Sequence, residues 1–89
     1  MSEEELQELE QLFFEQNFEY GDDKETIQQN ISIARNMYLK AYQDMEKVVE
    51  CLSDGVSFDQ YEAILAVQIL EISHRFIIRF EELLRRDGV

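Results

Sequence analysis

The sequence predicts an all-α fold: an antiparallel hairpin of two long helices plus a shorter acidic N-terminal helix, together a three-helix domain. Three observations predict it. Helix-start signals recur, because Ser2-x-x-Glu5, Asp22-x-x-Glu25 and Ser57-x-x-Gln60 each fit a capping box, in which a short polar side chain and a residue three later satisfy free backbone N–H groups. The only glycines, Gly21, Gly55 and Gly88, fall where each helix would take a left-handed C-terminal cap. Proline is absent, so nothing interrupts a helix interior. With 89 residues and 45% hydrophobic content, the chain has the size and apolar fraction of one globular domain spanning 1–89.

The first helix is expected over about Glu3–Tyr20. Leu6, Leu9, Leu12, Phe13 and Phe14 form its apolar face, with Phe18 a turn further on, and every charge it carries is negative. Acidic residues suit the dipole in a first turn and oppose it in a last one, so this helix depends on its aromatic face finding a surface.

The second helix is expected over about Lys24–Ser53. Its seam is Ile27, Ile31, Ala34, Tyr38, Ala41, Met45, Val48 and Leu52, in alternating steps of four and three, which lines one side of an antiparallel pair. Alanine at two seam positions lets the partner backbone approach closely.

The third helix is expected over about Phe58–Asp87, with Val56 and Tyr61 forming a hydrophobic staple across its start. Its main face carries Phe58, Tyr61, Leu65, Ile69, Ile72, Phe76, Phe80 and Leu83, and flanking apolar residues widen that face beyond what one neighbour buries. Opposite it, Gln60, Ile64, Val67, Glu71, His74 and Ile78 fall on a second stripe with heptad-like spacing. Ile33 and Met37 likewise stand off the principal seam of the second helix. Together, Ile64, Val67, Glu71, Arg75, Ile78, Ile33 and Met37 are the expected partner-binding residues, since contiguous apolar stripes on a small monomer mark contact surfaces.

Charge narrows the classes of function. Twenty acidic residues against eight basic give a net charge of −12, which repels nucleic-acid backbones and anionic membranes. Half of the basic residues, Arg75, Arg79, Arg85 and Arg86, cluster toward the C-terminus, where they complement the helix dipole, meet the acidic first helix or meet an acidic stretch of a second protein. The lone Cys51 forms no internal disulfide and reads as an inert, partly buried thiol. The opening Met-Ser-Glu-Glu-Glu has neither a positive leader nor an apolar core, so the cytoplasm is the expected compartment.

Glu71-x-x-His74 has the spacing of a carboxylate-bridged metal helix, with Glu46 or Glu50 as conceivable third ligands. The pair points away from the main apolar face, where a bundle-core site would sit, so neither metal nor cofactor is expected. One histidine, one cysteine and no glycine-rich turn give no nucleophilic or phosphate-binding constellation, and an enzyme is not expected.

The hairpin portion resembles the small α-hairpin co-chaperones of type III secretion needle subunits, through Gly55, Gln60-Tyr61, Ile77-Ile78 and Phe80. That resemblance implies a hairpin docking onto a larger helical-repeat chaperone that shelters an aggregation-prone subunit. The reading as a whole is a non-catalytic adaptor or chaperone-type protein that sequesters or stabilises a protein partner with an apolar helical surface. The alternatives are an acidic inhibitor that mimics a phosphate backbone, of phage or antitoxin type, and a homodimeric four-helix-type bundle.

Overall fold

A computed structural model describes residues 2–87, which form α1 (Glu3–Asn17), α2 (Lys24–Asp54) and α3 (Gln60–Asp87), with no strand among the described residues. The fold class is the expected one. Arg35 meets Glu81 and the ring of Tyr38 lies by that of His74, whereas Val48 and Cys51 share a groove with Phe58 and Leu65. The partners run in opposite order, so α2 and α3 are an antiparallel hairpin.

The helix starts follow carboxylates more closely than the capping-box pattern anticipates. Ser2 does cap α1, accepting from the Glu5 N–H at 3.2 Å. At α2 the cap is Asp23 rather than Asp22: one carboxylate oxygen accepts from the Thr26 N–H at 3.2 Å and the other from the Thr26 hydroxyl at 2.7 Å. Thr26 thus engages both oxygens, a clamp that Asp22 and Glu25 do not make. At α3 the cap is Asp59 rather than Ser57, its carboxylate accepting from the N–H groups of Tyr61 and Glu62 at 2.9 and 3.4 Å. An ionised acceptor at a helix N-terminus outcompetes a hydroxyl. The expected start at Phe58 is therefore displaced to Gln60, and the Val56–Tyr61 staple does not form, since both side chains are exposed.

Among the helix ends, Gly55 behaves as expected. It closes α2 at φ 69°, ψ 20°, and the next residue donates from its N–H to the Cys51 carbonyl at 2.9 Å, as in a glycine-terminated helix. α1 stops at Asn17, short of the expected Tyr20, and Gly21 is a loop residue rather than its cap. Three contacts end the helix early. The Asn17 side chain donates to the Phe13 carbonyl, Phe18 turns into the core in extended backbone, and Glu19 is gripped by α2. Gly21, at φ +153°, lies so close over the α2 cap that an added Cβ would sit 3.1 Å from both Asp23 and Thr26. The cap expected at Gly88 lies outside the described residues.

The core occupies one end of the molecule. Leu6 and Phe18 from the α1 segment, Ile27, Ile31 and Ala34 from α2, and Ile72, Phe76 and Phe80 from α3 make one buried cluster. Phe18 sits 4.8 Å from Phe76 and 5.3 Å from Phe80, ring centre to ring centre, and Phe14 joins them beneath Tyr20. Small residues let the hairpin close: Ala34, Ala41, Ala66 and Ser73 are all buried, and Ser73 returns its hydroxyl to the Ile69 carbonyl at 2.6 Å. At 1.5 Å per residue the 15 residues of α1 span about 22 Å, against about 46 Å for the 31 of α2. α1 therefore covers only part of a hairpin in a molecule 51 Å long.

Candidate docking surface

The side on which α1 docks decides that the outer stripe of α3 stays open. All six residues of the outer stripe on α3, Gln60, Ile64, Val67, Glu71, His74 and Ile78, are exposed. Ile64, Val67 and Ile78 retain 56%, 48% and 45% of their accessible surface, so α1 does not cover them. Glu71 stands between the two apolar groups without an ion-pair partner among the described residues.

Other expected contact residues lie elsewhere. Ile33 and Met37 are half-buried against the core cluster, on the side of α2 nearest α1, and serve the fold. Arg75 is held within the chain: its guanidinium reaches Glu10 at 3.1 Å and Glu3 at 3.5 Å. Arg79 reaches the other oxygen of Glu10 at 3.3 Å while its guanidinium lies 5.6 Å from the centre of the Phe76 ring. These arginines meet the acidic first helix, as charge segregation suggests, and Arg85 and Arg86 stay exposed.

Glu10 is the notable member of that cluster, because its residue is only 7% exposed. Arg79 donates a hydrogen bond to one carboxylate oxygen, whereas the other lies beside Arg75 without hydrogen-bond alignment. Nothing in the sequence singles Glu10 out from its five acidic neighbours in the helix. Asn30 was equally hidden. It is 1% exposed, and its amide accepts from the Glu19 N–H at 3.0 Å and donates to the Glu19 carbonyl at 2.9 Å. A polar residue one position before a seam isoleucine gives no periodic signal.

Reasoning from periodicity also missed the hairpin tip. Tyr61, Leu65 and Leu52 belong to the expected core faces, yet Tyr61 keeps 85% of its surface and the other two at least half. Tyr42, Val49 and Val56 are exposed as well. The signal that finds them is length: a helix half as long as its neighbours leaves half of their seam uncovered.

Chemistry at these positions is sparse. Among the described residues no group of three histidine, cysteine, aspartate or glutamate side chains is placed to hold a metal, so neither Glu46 nor Glu50 completes a set with Glu71 and His74. Cys51 is half-buried and unpaired. No helix of the described residues is long and apolar enough to cross a membrane. The bonds from Thr26, its hydroxyl foremost, hold the Asp23 carboxyl below its ordinary pKa. What the surface offers is apolar area on a rigid rod, with carboxylates around it. No protein-family model, no curated protein and no solved structure matches this chain.

Proposed function

We propose that this protein is a non-catalytic helical binding module that stabilises or sequesters a protein partner by packing a helix of that partner against the outer face of α3. The observation that carries the reading is the exposure of Ile64, Val67 and Ile78 on one stripe of a helix whose other face is already buried. Burying each of these side chains contributes about 1.5–3 kcal/mol before the costs of association, enough for a specific contact of moderate strength. Glu71 and the surrounding acidic surface steer encounter and orientation more than they add affinity. The narrower form of the reading, drawn from the resemblance of the hairpin to secretion co-chaperones, makes the partner a helical-repeat chaperone.

A second reading is favoured by the exposed carboxylates of α1, where Glu4, Glu5, Glu8 and Glu15 face solvent: an acidic inhibitor that occupies a basic, nucleic-acid-binding target. A homodimer ranks below both, because two chains of net charge −12 repel. Affinity purification from the native host, with wild type and with Ile64→Glu/Ile78→Glu, separates the readings once circular dichroism has established that the variant folds. Packing on the stripe predicts that the variant loses the partner and that wild-type capture changes little with salt. Recovery of the same partner by both proteins removes the stripe, and capture that collapses between 50 and 200 mM salt selects the acidic mimic.

A further inference from the structure

The groove that α1 fills continues past its end. On α2, Asn30 grips the residues after α1, and Ile33 and Met37 pack against the core on the same side. Further steps of seven, four and three from Met37 bring Asp44, Val48 and Cys51 to that side, and on α3 Phe76 and Ile72 lead on to Ile69 and Leu65. There the two helices and their turn enclose an open groove of about 470 Å³ whose apolar lining is Val48, Cys51, Phe58, Leu65, Ala66 and Ile69. From Lys40 to Cys51 it runs about 17 Å, the length of three helical turns.

Its rim has a different charge from the part beneath α1. Over the core, α3 presents Arg75 and Arg79, which match the glutamates of α1. At the tip end of the groove the α3 side presents Glu62 and the capping carboxylate of Asp59, and the α2 side carries Lys40 and Lys47, two of only three lysines in the chain, with Asp44 between them. An all-acidic helix such as α1 of a second copy finds no cation at Asp59 and Glu62. We infer that this groove accepts a three-turn amphipathic helix of a protein partner, laid end to end with α1, basic along the edge facing Asp59 and Glu62 and acidic along the edge facing Lys40 and Lys47. The inference goes beyond the binding reading: it concerns a different face from the Ile64 stripe and stands or falls without it.

The test uses synthetic helical peptides with one leucine stripe and either mixed edges (basic and acidic), two basic edges, or the sequence of residues 2–18 of this chain. Binding is followed by fluorescence anisotropy against the full-length protein and located by amide chemical shifts. The mixed-edge peptide is expected to bind wild type and to shift amides near Val48, Leu65 and Ile69 while leaving those near Ile78 in place. Lys40→Glu/Lys47→Glu is expected to weaken it about fivefold and to bind the doubly basic peptide more tightly than wild type does. Because both lysines are exposed, that variant keeps its fold. Absence of this crossover, shifts outside the groove, equal binding of residues 2–18, or concentration-dependent dimerisation through the groove overturns the inference. None of these outcomes touches the stripe, which the Ile64→Glu/Ile78→Glu capture tests by itself.

Discussion

Asn30 uses both ends of its side-chain amide on the backbone of one residue, Glu19, and so fixes where the chain leaves α1. Asn30→Ala removes a donor and an acceptor together and opens a small cavity beside Ile27 and Ile31. The expected loss is about 2 kcal/mol in urea unfolding; a change under a few tenths means that water replaces the amide. Gly21 constrains the same connection, since its φ of +153° suits no side chain and its space is taken by Asp23 and Thr26. Asp23 carries a pH signature. Its carboxyl titrates below the ordinary value in the folded chain, because Thr26 bonds favour the ionised form. The unfolded state therefore binds more protons across that interval, and stability rises with pH there. The contribution is complete above the unfolded value of 3.8 and fades as pH falls through the folded one. Asp23→Asn keeps a capping oxygen and loses this dependence, so melting curves of the two proteins are expected to converge as pH falls through the lowered folded-state value.

Among the elements, α1 is the one most tied by charge: three of the four ion pairs among the described residues join it to α3. Its dipole opposes its own acidic last turn, and no basic residue offsets this. What binds it are Leu6, the aromatic cluster and the two arginines on Glu10. Removing both arginines strands a carboxylate that is nearly buried, which is expected to cost about 1–3 kcal/mol, the arginines being themselves partly exposed. Arg75→Ala/Arg79→Ala should release α1 first: its amides exchange faster while those of α2 near Ile31 keep their protection. Glu10→Gln in that background recovers part of the loss, and uniform destabilisation without recovery means that the ion pairs do not dock the helix. The elements themselves were legible, because the seam of α2 through Ile27, Ile31, Ala34 and Ala41 is a periodic signal and Gly55 a chemical one. Caps were legible only to within two residues, since Ser57 and Asp59 both qualify by type and only geometry ranks them. The Glu10 and Asn30 contacts were not legible, being pairings between distant residues that no local spacing encodes.

At the scale of the molecule, apolar burial is concentrated at one end and most of the exposed apolar surface lies toward the other. The outer stripe was readable from spacing alone, whereas the open tip groove depends on how far α1 reaches, which the pattern of α2 and α3 does not contain. Stability should follow this asymmetry. Around Ala34, Ile72 and Phe76, opening exposes the common cluster and requires nearly global unfolding; near Met45, Val48 and Leu65 it separates two helices that share few fully buried groups. Native-state hydrogen exchange should thus give opening free energies for amides of 45–52 and 62–68 that lie below those of 29–34 and 73–80 by about 2 kcal/mol or more. A single value along both helices would mean that the tip is as cooperative as the core and has no ordering left for a partner to supply. Given the gradient, a helix bound in the groove raises protection selectively at the tip, because a ligand stabilises the states that bind it. Saturation with the mixed-edge peptide is expected to bring the tip amides toward the core value and to leave the core unchanged. This couples the surplus apolar surface to local order: the end of the hairpin that α1 fails to cover is also the end that gains stability when something else covers it.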